Sequence, residues 1–224
     1  MALFEYFPNY VWNLSVAMAL ESGARIGEIE DMCRPLREAA ARGEDAGTVE
    51  FMQRWVEVAE RLISLADEDE ALGRGFSASA KLERAALYLL VAERMQAQGS
   101  PRRESTYALA RESFDRSTRL GSLPRERVEI PLAKGTMPAL YTRAPGEGRR
   151  PVVIYCNGLD SCKELLWWSR LPEALARRGV STLCVDQPGS GEALRLQQLP
   201  VDPHSENWAS KAVDWLIAQP DVDV

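Results

Sequence analysis

The feature that most constrains this chain is a short apolar run followed at once by a turn and a helix. Residues 152–155 are Val-Val-Ile-Tyr, Asn157-Gly158 is a turn signal, and apolar residues at helical spacing begin after Lys163. A continuous β-branched run of this length is typical of a strand buried on both faces of a parallel sheet. The turn then lies at the carboxyl end of that strand, where ligands bind in open α/β sheets. The stretch therefore predicts an α/β fold with a candidate site in this turn.

Residues 1 to about 120 have helical periodicity throughout. Pro35 should kink or split the second helix, and Ser100-Pro101 is a strong start signal for the fifth. Ser77 or Ser79 can cap the fourth helix. Amphipathic helices joined by short loops predict a bundle or a stack of helical repeats, but no period of about 34 residues connects them, so a tetratricopeptide-like adaptor is only a third hypothesis. The predicted helices span about residues 9–22, 26–42, 49–72, 77–98 and 101–120.

The period of the apolar residues changes from about 3.6 to about 2 at Leu123-Pro124. Two alternating segments on either side of Lys134-Gly135 predict an antiparallel hairpin. Two buried strands joined by a helix follow, and right-handed crossovers place these strands side by side. This order predicts the start of a doubly wound sheet, with domains at 1–123 and 124–224. The predicted elements are strands at 127–132, 137–143, 152–155 and 181–185, a helix at 163–178 that Pro172 should kink or restart, and a helix at 206–218.

Residues 157–161, Asn-Gly-Leu-Asp-Ser, are the sharpest candidate for chemistry. Backbone N–H groups in such a turn can point into a cleft and stabilise an oxyanion without reorganising during a reaction. The alternative is an ordinary strand-to-helix turn, and spacing alone does not separate the two. A second loop, 186–191, follows the next strand and is expected to shape the same edge. Asp186 there is either an electrostatic group or a cap of the loop, and the glycines are not expected to open a helix directly.

Charge and composition exclude several classes of function. The net charge is −6 and the basic clusters are short, so no nucleic-acid partner is expected. No run approaches the roughly 18 apolar residues of a membrane span, and the first residues lack the pattern of a signal peptide. The four cysteines form no Cys-x-x-Cys pair and the one histidine, His204, has no clustered partner, so neither a metal nor a cofactor is expected. This cysteine usage indicates a reducing, cytoplasmic setting.

Two strand–loop motifs, in this order, resemble the first half of an α/β-hydrolase. Residues 151–164 are Pro-Val-Val-Ile-Tyr-Cys-Asn-Gly-Leu-Asp-Ser-Cys-Lys-Glu, and residues 180–192 are Val-Ser-Thr-Leu-Cys-Val-Asp-Gln-Pro-Gly-Ser-Gly-Glu. The helical first part, which opens with Tyr-Phe-Pro-Asn-Tyr-Val-Trp-Asn at 6–13, is similar to the cap of one group of that superfamily. The group has an N-terminal helical domain and includes 2,6-dihydroxypseudooxynicotine hydrolase, FrsA-like esterases and the fungal yellowish-green polyketide-shortening hydrolases.

The resemblance implies roles for the residues of the turn. Leu159 would supply a backbone N–H to an oxyanion hole, and Gly158, Asp160 and Ser161 would belong to the substrate-binding loop beside it. The family's serine nucleophile, acid and histidine would lie after the last helix, since the chain contains no Gly-x-Ser-x-Gly motif.

The resemblance also implies that the chain is one part of a larger enzyme. Residues 1–123 would be a helical cap domain, and residues 124–224 the N-terminal half of the hydrolase core. The next strand would begin within about 5 residues of Val224 and pair with strand 152–155, which is otherwise an open edge. We therefore expect the remainder of the hydrolase domain, from the same gene or from a second chain, as a partner, and we expect this chain to be inactive alone.

Two hypotheses about function follow. The leading one is a serine hydrolase, without a cofactor, that cleaves an ester, an amide or a C–C bond next to a carbonyl in a small aromatic or polyketide-like substrate. Such an enzyme is expected to form a homodimer. The alternative is a non-catalytic helical interaction domain on a degenerate hydrolase scaffold. A fluorophosphonate probe separates them, because only an active serine hydrolase forms an adduct.

Overall fold

The computed structural model describes residues 5–45 and 47–223. It divides into two compact units between Leu123 and Pro124. We call the unit up to Leu123 the helical unit and the unit from Pro124 the sheet unit. No helix within the described ranges is both long and apolar enough to cross a bilayer.

The helical unit follows the predicted order of helices. Asn9 caps the first helix, since its side-chain oxygen accepts hydrogen bonds from the N–H groups of Val11 and Trp12. Pro35 lies in a short 3₁₀ turn that splits the second predicted helix into two. The helices are α1 (Tyr10–Glu21), α2 (Ile26–Cys33), α3 (Arg37–Ala41), α4 (Val49–Ala71), α5 (Gly75–Arg94) and α6 (Pro101–Gly121), with the 3₁₀ turn at Arg34–Leu36.

The predicted start and end of α5 are wrong. The helix begins at Gly75 and ends at Arg94, so neither Ser77 nor Ser79 is its cap. Ser79 is buried inside the helix, and its hydroxyl donates a hydrogen bond of 2.7 Å to the carbonyl oxygen of Ser117 in α6. Its hydroxyl therefore ties two helices together instead of capping one, a use that local sequence does not reveal.

A continuous series of aromatic rings forms the centre of the helical unit. All five side chains are at most 1% exposed. Neighbouring ring centroids lie 4.8–5.8 Å apart, mostly edge to face, which adds to the stabilisation from buried area. The series links the segment before α1 to α1, α4 and α5. Its members, in order, are Phe7, Trp12, Phe51, Trp55 and Tyr88.

The sheet unit is a mixed four-stranded sheet in the order β1-β2-β4-β3. The predicted hairpin is confirmed as β1 and β2, and β4 pairs antiparallel to β2 with Leu140 opposite Cys184. The two predicted buried strands are parallel neighbours, with Ile154 opposite Leu183. The elements are β1 (Glu126–Pro131), β2 (Thr136–Thr142), β3 (Val152–Cys156), α7 (Lys163–Trp168), α8 (Leu171–Ala176), β4 (Ser181–Val185), α9 (Gly191–Arg195) and α10 (Glu206–Ile217).

The prediction that residues 152–155 are buried on both faces is wrong. Within the described residues β3 pairs only with β4, so it is an edge strand, and Val153 is 41% exposed. Immediately before β3, Arg150 forms a parallel bridge with Val222. The N–H of Arg150 donates to the carbonyl oxygen of Asp221 at 2.8 Å, and the N–H of Asp223 donates to that of Arg150 at 2.9 Å. The chain thus returns to lie beside the start of β3.

The segments that follow β3 and β4 differ from the predicted secondary structure. The predicted helix at 163–178 restarts at Pro172, since Arg170 has a left-handed φ of 62° and separates α7 from α8. The loop after β4 contains α9, which begins at Gly191, so the expectation that these glycines do not open a helix is wrong. The turn before α9 is fixed by contacts with Asp186, which are described below.

Candidate active site

The candidate turn, residues 157–162, connects the carboxyl end of β3 to α7. Leu159 is 72% exposed, and Gly158 and Asp160 are exposed beside it. Ser161 donates its N–H to the carbonyl oxygen of Gly158 at 3.1 Å. Within the part of the chain that the structure describes, the N–H groups of Gly158, Leu159 and Asp160 donate no hydrogen bond. The turn therefore presents free backbone donors at the end of a strand.

Both ends of the candidate turn are held by one carboxylate, that of Asp186 at the end of β4. Its Oδ1 accepts from the Asn157 side-chain amide at 2.6 Å and from the Lys163 backbone N–H at 2.7 Å. The side-chain amide of Gln187 adds a bond of 2.6 Å to the Asn157 carbonyl oxygen. Asp186 is 0% exposed, so these bonds form away from water and are strong.

Asp186 belongs to a group of acidic and basic side chains, which we call the charge cluster: Lys163, Glu164, Asp186 and Glu192, which are buried, and Arg127, whose side chain is 23% exposed. The Lys163 ammonium is 0% exposed and lies 2.7 Å from Glu164, 3.1 Å from Asp186 and 2.8 Å from Glu192. Arg127 on β1 forms an ion pair with the other oxygen of Glu192. The charge cluster therefore connects β1, α7, α9 and the end of β4 directly behind the candidate turn.

The pKa values of the charge cluster reflect burial and opposite charges. Burial lowers the pKa of Lys163, but the three carboxylates around it hold its pKa well above the usual value. Burial raises the pKa of Asp186, against the opposing charge of Lys163. Burial also raises the pKa of Glu192, but the charges of Lys163 and Arg127 outweigh it and lower that pKa to about 2. Lys163 and Glu192 are therefore both ionised at neutral pH.

Gly191 makes the fourth hydrogen bond to Asp186 possible. The Glu192 N–H donates to Asp186 Oδ2 at 2.8 Å, so Asp186 also fixes the start of α9. A Cβ on Gly191 would lie 2.0 Å from Asp186 Cγ, and the residue has a φ of 44°. Only glycine lets the backbone approach the carboxylate this closely. Asp186 thus both caps the loops and pairs with Lys163, which combines the two interpretations that the sequence left open.

Other candidates from the sequence are not brought to the candidate turn. His204 is exposed and lies near Glu206 in a polar loop, at 3.5 Å. The loop after β4 does reach the turn through Gln187. Its Pro188, however, lines a separate groove of about 640 Å³ that runs between the β1–β2 turn and α10. Residues 5–45 and 47–223 contain no group of three or more acidic, histidine or cysteine side chains that could hold a metal ion.

No pattern in the sequence predicted the charge cluster. Lys163 and Glu164 open a helix, where charged residues are usually solvated, and Glu192 lies in what was expected to be a loop. The only available signal was position, since Lys163, Glu164 and Glu192 each follow the end of a predicted buried strand within nine residues. Burial of Lys163, Glu164, Asp186 and Glu192 results from contacts between segments far apart in the chain.

The chain is similar over most of its length to known hydrolases. It is 31% identical over 222 residues to Hydrolase LUC6 of Fusarium sp, covering 96% of this chain and 52% of that protein. It is 31% identical over 169 residues to 2,6-dihydropseudooxynicotine hydrolase of Paenarthrobacter nicotinovorans, covering 75% and 44% respectively. The crystal structure of 2,6-dihydroxy-pseudo-oxynicotine hydrolase superimposes with a TM-score of 0.72 at 24% identity, covering 93% of this chain and 55% of that one. No family model matches the chain.

These comparisons agree with the fold described above. The solved structure shares the arrangement of a helical region followed by a sheet with helices, which confirms the predicted fold class. The chain spans about half the length of the curated relatives that it matches. The resemblance inferred from the two strand–loop motifs is confirmed: the chain is similar to α/β-hydrolases along about half the length of those proteins.

Proposed function

We propose that this chain contributes the oxyanion loop and a helical cap domain to a serine hydrolase. The observation that carries the proposal is the candidate turn itself. It presents the free N–H of Leu159 at the carboxyl end of β3, and Asp186 holds both of its ends. A pre-oriented donor in a fixed position is what stabilisation of an oxyanion requires.

The proposed reaction is nucleophilic attack on a carbonyl. A serine oxygen bonds to the carbonyl carbon while a histidine takes the serine proton, and the π electrons of the carbonyl move onto its oxygen. The N–H of Leu159 and the N–H of the residue after the nucleophile bind this oxyanion. Collapse of the intermediate breaks the bond from the carbonyl carbon to the departing oxygen, nitrogen or carbon, which takes the proton from the histidine. Water, which gives a proton to the histidine, then attacks the acyl-enzyme, and the serine leaves with that proton. The serine and histidine belong to the remainder of the hydrolase domain.

The substrate class is proposed from the relatives. One relative is named 2,6-dihydropseudooxynicotine hydrolase. By analogy we propose a small aromatic or polyketide-like substrate, bound beside Gly158, Asp160 and Ser161. Leu159 supports a contact with substrate, since a large apolar side chain that is 72% exposed gains free energy when a ligand covers it.

The proposed partner is the remainder of the hydrolase domain, which pairs with the edge of β3 that no other strand covers within residues 5–45 and 47–223. The bridge between Arg150 and Val222 supports this, because it already begins a parallel ladder next to β3. An uncovered apolar edge strand also invites aggregation, so pairing removes a liability. We further propose that the complete enzyme is a cytoplasmic homodimer. Light scattering of the purified protein tests the dimer.

Labelling of the intact gene product with a fluorophosphonate probe tests the proposed function. The expected result is a covalent adduct on one serine, located by mass spectrometry. Leu159→Pro removes the backbone N–H and should slow labelling by about 10²- to 10³-fold, whereas Leu159→Ala keeps the N–H and serves as the matched control. A folded product that forms no adduct would contradict the proposal and favour the non-catalytic scaffold. Equal labelling rates of the two variants would show that the Leu159 N–H does not contribute to an oxyanion hole.

A further inference from the structure

The candidate turn has few bonds of its own to hold its shape. The hydrogen bond from Ser161 to Gly158 closes its tip, while the Leu159 side chain is 72% exposed and a Cβ on Gly158 would meet no atom within 4 Å. No packing of these two residues therefore fixes the direction of the Leu159 N–H. That direction has to come from the ends of the turn.

The two ends meet at the same oxygen atom. Asp186 Oδ1 accepts the side-chain amide of Asn157, at the start of the turn, and the backbone N–H of Lys163, immediately after it. Oδ2 accepts the Lys163 ammonium at 3.1 Å and the Glu192 N–H at 2.8 Å. Four donors around two oxygens leave the carboxylate one orientation, so the separation of the two ends of the turn is fixed.

We propose that Asp186 is a positioning residue that sets the direction of the Leu159 N–H by clamping both ends of the candidate turn. It acts through Asn157 and Lys163 and touches no reacting atom. This inference rests on the proposed function only in its consequence for catalysis. The clamp itself is a property of the described structure and can be measured separately.

An isosteric amide cannot replace Asp186. An asparagine has one acceptor oxygen, whereas both oxygens of Asp186 face N–H donors. In Asp186→Asn the new NH₂ group would oppose either the donors of the turn or those of Lys163 and Glu192. The variant should therefore release one side of the clamp even though its shape is unchanged.

The test is ¹⁵N relaxation of the backbone, which needs no catalytic activity. In the wild-type protein the Leu159 amide should have an order parameter of about 0.85, and in Asp186→Asn it should fall to about 0.6 or below. Asn157→Ala removes one hydrogen bond of the clamp and leaves every ionisable side chain in place, so it should have the same effect if Asp186→Asn does not fold. Asp202→Asn is the matched control, since this half-buried aspartate caps the loop before α10, away from the candidate turn. Amides in β2 report whether each variant is folded.

The outcomes separate the clamp from the proposed function. A drop at Leu159 in Asn157→Ala, and also in Asp186→Asn if that variant folds, but not in Asp202→Asn, supports the clamp whether or not the fluorophosphonate reacts. An unchanged order parameter in Asn157→Ala, or an equal drop in Asp202→Asn, overturns it. If the wild-type protein is an active hydrolase, kcat should fall about 100-fold in Asp186→Asn with KM nearly unchanged. A fall in kcat without a change at Leu159 would also overturn the clamp.

Discussion

Replacing Lys163 with methionine should reveal how much the charge cluster depends on one ammonium group. Methionine has a similar length and no charge, so the variant keeps the packing volume and removes the cation. Lys163 is 0% exposed, and the three carboxylates that contact it are at most 3% exposed in their side chains. In Lys163→Met these carboxylates remain buried without the charge that compensates them.

The expected loss of stability is large relative to the whole. Removing one partner of a buried ion pair costs about 3–5 kcal/mol, because the remaining charge stays desolvated. Here one cation serves three anions, and Arg127 still pairs with only one of them, Glu192. We therefore expect a decrease of at least about 3 kcal/mol in the free energy of unfolding of the sheet unit. A domain is typically stable by only about 5–15 kcal/mol.

Urea denaturation at several pH values measures this prediction. Burial already raises the pKa of Asp186 above 3.8, and loss of the Lys163 charge raises it further. The folded variant then binds a proton that the unfolded chain does not, so acidification from pH 7 towards pH 4 should recover part of the loss. Lys211→Met is the control, since Lys211 pairs with Asp214 at an exposed site and should change stability by about 0.5 kcal/mol or less. A loss below about 1 kcal/mol, or one that grows on acidification, would refute the reasoning.

Two further predictions concern the same cluster and the helical unit. The pKa of Glu192 is lowered from 4.5 to about 2, so its stabilising contribution of about 3 kcal/mol is complete above pH 4.5 and is lost as pH falls towards 2. Glu192→Gln should therefore flatten the acid side of the stability profile, as measured by urea denaturation between pH 3 and pH 7. Trp55→Ala should destabilise the helical unit by about 3–5 kcal/mol, since the ring is 0% exposed, as measured by thermal unfolding.

Each of these predictions has a clear contrary result. An acid profile of Glu192→Gln that parallels the wild-type profile would show that other groups cause the acid sensitivity. Phe76→Ala is the control for Trp55, because Phe76 is 82% exposed and its loss should change stability by about 0.5 kcal/mol or less. Equal effects of the two alanine variants would mean that the aromatic series does not hold the helical unit together.

The parts of the fold that depend on local sequence were predictable. Asn9 caps α1, Pro35 and Pro172 break helices, and Gly135 makes the turn of the hairpin with a φ of 71°. The predictions were wrong where contacts with a distant segment of the chain determine the structure. The Ser79 hydroxyl donates a hydrogen bond to α6 instead of capping α5. The burial of Val153 depends on the order of the strands in the sheet.

The candidate site was predictable only in outline. The Asn-Gly pair after a strand pattern predicts the position of the candidate turn, and of Leu159 within it, without information about any contact. What fixes the turn was not visible, because Lys163 meets Asp186 and Glu192 across 23 and 29 residues of chain. A lysine at the first position of a helix has no local property that distinguishes a buried side chain from a solvated one.

The charge cluster has a consequence for how this sequence can vary among its relatives. Because the one ammonium of Lys163 contacts Glu164, Asp186 and Glu192 together, a neutral residue at position 163 leaves three buried carboxylates without it. Lineages should therefore keep the cluster as a set or replace it as a set with apolar residues. We expect positions 127, 163, 164, 186 and 192 to change in concert, and the glycine at 191 to persist wherever the aspartate at 186 does.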